Sequence, residues 1–253
     1  MRISCKSLIS AAAALLVSAS VAAAAEVKLI SVGGVKGALD KIVADYTKAT
    51  GNNVNYTVGS PLVVSQKLAA GEVFDVVVQS APAMDDYAKL GGLNAGSRIA
   101  VARGGIGMAV APDATPPDIS TAAAFKKALL NAKSIAVGDP AMPNGSGILI
   151  QSILANSGVM DEIKPKIKVV GLDPGQQEIA KGAIEIGFFN ISEVRAFVKY
   201  GGPVPPPLQQ YTNYDAAVTA KAPTPDAAAA LVKILASAPA QAHWTAAGLE
   251  PKQ

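Results

Sequence analysis

The stretch "LISVGGVKGALDKI" (29–42) decides how the rest of the chain is read. An apolar run, Leu29 to Val32, meets a glycine pair and then a lysine. Val35, Leu39, Ile42, Val43 and Tyr46 follow at helical spacing. The pattern predicts a strand, a tight turn and a helix start. Such a junction presents backbone N–H groups and the positive end of a helix dipole, a natural seat for an anion.

The same logic recurs along the chain. Strands are predicted at 53–58, at 74–80 (nearly continuously apolar, the mark of a buried parallel strand), and at 106–112, 134–140, 167–171, 184–190 and 213–220. Helices are predicted at 37–50, 62–71, 82–90, 118–132, 146–158, 175–183, 192–200, 225–237 and 239–248, several of them stopped by glycine. The tract "GGPVPPPLQQY" (201–211) reads as an extended, semi-rigid connection. Alternating β and α elements imply α/β architecture, with one parallel sheet or two and helices on both faces. In open α/β sheets ligands bind beyond the carboxyl ends of the strands. Four such junctions carry small or polar residues: 31–37, 58–63, 138–147 and 188–193.

The first 25 residues pair a basic start (Arg2, Lys6) with a short apolar run and an A-x-A site before Glu26, the pattern of a cleavable signal peptide. Export to the bacterial periplasm is therefore expected. Cys5, the single cysteine, lies inside that leader, so disulfides and cysteine metal sites are excluded from the mature chain. Without Arg2 and Lys6 the balance is 20 basic against 19 acidic residues. Near-neutrality, no basic run and 5% aromatics leave nucleic acid no footprint.

Chemistry that needs particular side chains is scarce. His243 is the single histidine, which makes a zinc site or a Ser–His triad improbable, and no metal and no cofactor is expected. No G-x-G-x-x-G or P-loop pattern is present. What remains is a set of turns with small side chains at successive strand ends. Backbone N–H groups there hold oxyanions and carboxylates without a counter-charge.

Three blocks carry a family resemblance: "LAAGEVFDVVVQSAPAMDDYAKLG" (68–91), "VGDPAMPNGSG" (137–147) and "GFFNISEV" (187–194). Together they resemble type 2 periplasmic solute-binding proteins of the molybdate-binding-protein-like group. The resemblance implies a two-lobed fold of mixed sheets with helices on both faces and a ligand cleft between lobes. Lobe one would be 26–104 plus 212–253 and lobe two 105–211, with "GGIGMAV" and "PLQQYTN" as the crossings. It further implies a ligand set of Gly33, Gly34, Lys36, Ser60, Pro61, Ser80, Asn144, Gly145, Ser146, Gly147, Asn190 and Ser192. Gly34, Pro61 and Asn190 stand where the molybdate pattern has two serines and a tyrosine, which favours a small carboxylate over the metal oxyanion. Lys36, a cation in a first helical turn, would be compensated by a bound anion.

Two functions on this scaffold stay open. One is a monomeric binding protein that delivers a small anion to an ABC-type permease. The other resembles bacterial aconitate isomerase, which moves an allylic proton between cis- and trans-aconitate and needs carboxylate clamps plus one general base. Glu193 is the candidate base. An ionisable base facing the cleft separates the second function from the first. A receptor-presenting sensor is a third and lesser reading.

Overall fold

A computed structural model describes residues 24–141 and 146–252. The predicted leader lies, through residue 23, outside the described residues, as do Asn144 and Gly145. The strands are β1 (Glu26–Val32), β2 (Asn53–Gly59), β3 (Val76–Ser80), β4 (Ile99–Val110), β5 (Ile135–Gly138), β6 (Ile167–Val170), β7 (Ile186–Asn190), β8 (Lys199–Pro203), β9 (Tyr211–Val218) and β10 (Glu250–Pro251). The helices are α1 (Lys36–Thr50), α2 (Pro61–Ala69), α3 (Ala81–Lys89), α4 (Ala122–Asn131), α5 (Gly147–Asn156), α6 (Met160–Ile163), α7 (Leu172–Ala180), α8 (Ile191–Phe197), α9 (Pro225–Leu235) and α10 (Ala238–Ala246). No helix among the described residues is long and apolar enough to cross a membrane.

The strands line up as β2-β1-β3-β9-β4-β7-β5-β6. β1 pairs in parallel with β2 and β3, and β5 with β6 and β7; β9 and β4 run antiparallel to their neighbours. β4 belongs to both halves. Ile99 to Gly105 pair with β9, and Ile106 to Val110 pair with β7. At the change of partner the Gln209 side chain imitates a strand neighbour: its Oε1 accepts from Ile106 N and its Nε2 donates to Ile106 O, both at 2.9 Å. The backbone groups freed at the crossing therefore stay paired.

Each half has its own core. The first gathers the apolar faces of β1, β3 and β9 with α1, α9 and α10, around fully buried Tyr46 and Trp244. Trp244 Nε1 donates to Leu235 O at 2.9 Å, so its one polar atom is satisfied inside the core. Asp75 is buried too; it accepts from the N–H groups of Lys28 and Thr224 and from the Thr224 hydroxyl. The second half builds its cores on β4, β5 and β7, with Phe125 and Phe188 packed edge to face.

Several expected boundaries move, each for a local reason. The strand expected at 106–112 begins at Ile99. Its first half is masked in sequence by Arg103, which lies 4.1 Å over the Tyr211 ring and pairs with Glu250. The helix expected at 175–183 starts at Leu172, because Pro174 falls in the first turn, where its missing N–H costs no bond. The helix expected at 192–200 ends at Phe197, and the start of the proline-rich tract is β8, an edge strand along β4. The helix expected from 118 begins after Thr121, whose hydroxyl accepts from Ala124 N.

Candidate functional site

Six strands end on one cleft. The ends of β1, β2 and β3 supply Val32, Gly59 and Ser80; those of β5, β6 and β7 supply Gly138, Val170 and Asn190. The cleft between them measures about 550 Å³. β2, β3, β6 and β7 are each followed directly, or after one residue, by a helix. α2 follows Ser60, whose Oγ accepts from Val63 N at 3.3 Å, with Pro61 at its first position. α3 follows Ser80, α5 follows Ser146 and α7 follows Gly171; all four preceding residues line the cleft. Four helices of nine or ten residues thus begin at this space, each with unpaired first-turn N–H groups and a positive dipole end. Gly147 is needed for close approach: a Cβ there would lie 2.4 Å from Asp139 O.

Among the described residues, two side-chain atoms that line the cleft are buried without a partner, Ser80 Oγ and Asn190 Oδ1. Buried polar atoms are almost always paired, so a pair of orphans facing one space marks a place for a ligand or its water. Gln79 is already engaged, donating to Pro61 O and accepting from Ser80 N.

Among the described residues the cleft is lined by three carboxylates and by no lysine or arginine. Asp139 and Asp173 are exposed at the rim. The first accepts from Ala141 N at 2.8 Å; the second sits in the first turn of α7, where a negative charge suits the dipole. Glu193 differs. It lies in the first turn of α8 and accepts from Asn190 Nδ2 at 3.2 Å. Burial pushes its carboxyl up to about 7 from 4.5, with Asp173 adding to the rise and the Asn190 bond opposing it. A carboxylate titrating near neutrality can take up and return a proton.

Of the ligand set inferred from sequence, Gly33, Gly34, Ser60, Pro61, Ser80, Ser146, Gly147 and Asn190 line the cleft, together with Glu193. Lys36 stands apart. Its side chain is half exposed and paired with Asp40 one turn on, so the charge at this helix start is compensated by the chain itself. Ser192 is not in the lining either; its hydroxyl donates to Gly34 O at 2.7 Å and ties α8 to the turn after β1. Sequence reasoning did not find Gln79, Asp139, Asp173, Thr212 or Tyr214, all of which line the cleft. Glycine 171 and Asp173 were hidden by the misplaced start of α7. Tyr214 belongs to a strand whose pattern marks it as ordinary core.

The model of the bacterial extracellular solute-binding protein family matches residues 27–250. The chain belongs to that family. Among curated proteins it is 31% identical over 231 residues to an aconitate isomerase of Pseudomonas sp, covering 88% of this chain and 87% of the relative. Among solved structures it resembles the substrate-binding domain of a molybdenum ABC transporter protein from Clostridium difficile (TM-score 0.76, 18% identity, 91% of this chain and 100% of that one). The periplasmic molybdate-binding protein of Azotobacter vinelandii gives a TM-score of 0.73 at 20% identity, over 90% of this chain and 100% of that one. These likenesses establish the two-lobed binding-protein fold for this family member.

Proposed function

We propose that the protein grips a small unsaturated di- or tricarboxylate between its lobes and moves one of its allylic protons, as an isomerase of the aconitate type. Glu193 carries the reading. It is a carboxylate that lines the cleft, and burial tunes its carboxyl to about 7. The N–H groups of the turns after β1, β2 and β3 hold the ligand's carboxylates. Glu193 takes a proton from the methylene carbon next to the double bond. The electron pair shifts across the three-carbon unit, and the same proton is returned to its far carbon. One C–H bond breaks and another forms, so no oxidant or cofactor is required. The name of the Pseudomonas relative supports this chemistry.

A second reading, delivery of the anion to an ABC permease, is favoured by the family description and the fold of the molybdate-binding neighbours. On either reading the chain works outside the cytosol, in the periplasm, as a monomer whose lobes (26–104 with 212–253, and 105–211) close on the ligand.

The deciding experiment incubates the protein with cis-aconitate and follows the trans isomer by NMR, beside a thermal-shift panel of citrate, tricarballylate, sulfate, phosphate, molybdate and tungstate. A ligand at a hundred times its Kd adds about 2.7 kcal/mol of stability. Conversion is expected. Binding of aconitate without conversion would replace the isomerase by the import receptor. A shift with molybdate or tungstate alone would overturn the carboxylate reading.

A further inference from the structure

Tyr214 has no role in the reading above, yet its position is the most constrained in the cleft. It sits on β9 directly opposite Ser80 of β3, so the two side chains stand on one face of the sheet. The ring is buried, with 3% exposure, while the residue still lines the cleft. Its hydroxyl reaches the turn after β1. A Cβ built on Gly34 would lie 2.8 Å from Tyr214 Oη and 3.7 Å from Asn190 Nδ2. Gly34 is not among the glycines with positive φ, so its backbone conformation does not call for glycine. The missing side chain there makes space for the phenol.

From this geometry we infer that Tyr214 is a ligand-binding residue: its hydroxyl donates a hydrogen bond to a carboxylate oxygen of the bound anion at the cleft floor, in the space Gly34 leaves open. The inference rests on the carboxylate reading of the site and adds the residue that positions the reacting end. The cleft lining among the described residues offers neutral donors to the charge on the ligand, and the phenol is the largest of these. It stays a donor, because burial, reinforced by the negative charge of Glu193 and opposed by a hydrogen bond with Thr212, raises its pKa and keeps its proton in place. Glu193 and Tyr214 then face the same end of the ligand. When Glu193 removes the carbon-bound proton, the electron pair spreads toward the conjugated carboxylate, and the phenol's hydrogen bond strengthens as that oxygen gains charge. The phenol keeps its proton throughout.

The test is Tyr214→Phe, which keeps the ring and removes the oxygen. Two quantities are read: the Kd for tricarballylate (a saturated tricarboxylate that cannot isomerise) by calorimetry, and the rate of cis-aconitate conversion. We expect Kd to rise at least about ten-fold, as for a lost bond to a charged group. The rate should fall about 100-fold, as for a lost oxyanion donor. Melting of the free protein stays where it was. Gly34→Ala, which displaces the hydroxyl without removing it, should reproduce both losses. Adding Gly34→Ala to Tyr214→Phe should cost little more, since both act on one contact. If the native protein binds tricarballylate without converting aconitate, the isomerase reading fails, and the Kd comparison still decides the role of Tyr214. Tyr214→Phe binding within two-fold of the native protein would overturn the inference. So would a native protein that binds no carboxylate in the panel.

Discussion

The two walls of the cleft are built alike and charged differently. Each presents three strand ends and the helix starts that follow them. The wall from β1, β2, β3 and β9 offers Gly33, Gly34, Ser60, Gln79, Ser80, Thr212 and Tyr214, with no ionisable acid or base that titrates near neutrality. The wall from β5, β6 and β7 carries all three carboxylates that line the space, Asp139, Asp173 and Glu193. A polyanion is held best against the first wall, where dipole ends and neutral donors face it. The second wall is where a proton can move. On the proposed reading holding and reacting fall to opposite walls, which already meet where the Ser192 hydroxyl donates to Gly34 O.

The largest expected effect comes from removing the one neutral-pH group of the second wall. Glu193→Gln should lower the conversion rate by about 10²- to 10⁴-fold while leaving tricarballylate affinity unchanged or tighter, since a charge repelling the ligand is gone. The pH dependence follows from the raised carboxyl. In the native protein the rate should climb with pH and level off above about 7, because the base must be ionised. Stability of the free protein runs the other way. A carboxyl whose folded pKa lies above 4.5 contributes fully below that pH, and the contribution is lost as pH rises through about 7. Denaturant melts between pH 4 and 8 should show that slope in the native protein and its loss in Glu193→Gln. An unchanged slope would place the titrating group elsewhere and break the contrast between the walls.

On the first wall, Tyr214 apart, the effect should be on affinity alone. Ser80 Oγ has no partner in the free protein, so Ser80→Ala removes nothing that stabilises the fold. It should weaken carboxylate binding about three- to ten-fold, leaving the conversion rate at saturation nearly unaltered. Ser60→Ala gives the internal comparison. Its hydroxyl caps α2, and its loss should cost about 1 kcal/mol of stability whether or not ligand is present. A fall in the saturated rate of Ser80→Ala would mean that Ser80, like Tyr214, takes part in the chemistry as well as the holding.

These contrasts were unevenly legible in the sequence. The strand ends could be read, because each is an apolar run cut short by small residues, and that arrangement places a cleft. The charge division could not. Glu193 is written as a first-turn carboxylate like any other, and its environment comes from Asn190 and Asp173 folded around it. Tyr214 was illegible for a different reason. Along "YTNYDAAV" it occupies an inward position of an ordinary strand, and its meaning depends on Gly34, 180 residues earlier, which sequence spacing cannot bring near it. The helix expected at 175–183 starts three residues earlier, with Pro174 in its first turn.

The smallest expected effect tests the neutrality of the first wall most directly. Lys36 is the cation nearest in sequence to the Gly33–Gly34 turn, and a cation at a helix start opposes the dipole. In the structure its ammonium is spent on Asp40, four residues on, with both side chains largely in water. Exposed pairs of this kind contribute at most about 1 kcal/mol, and here part of that is offset by relief of the unfavourable dipole contact when the charge is removed. Lys36→Ala should therefore shift stability by less than about 0.5 kcal/mol and ligand affinity by less than about two-fold. A ten-fold loss of affinity at low salt that fades at high salt would show the ammonium reaching the ligand, and the first wall would then bind by charge after all. A flat result leaves the anion held by backbone, hydroxyl and phenol donors, and the raised carboxyl of Glu193 then reflects its burial, with Asp173 adding to the rise.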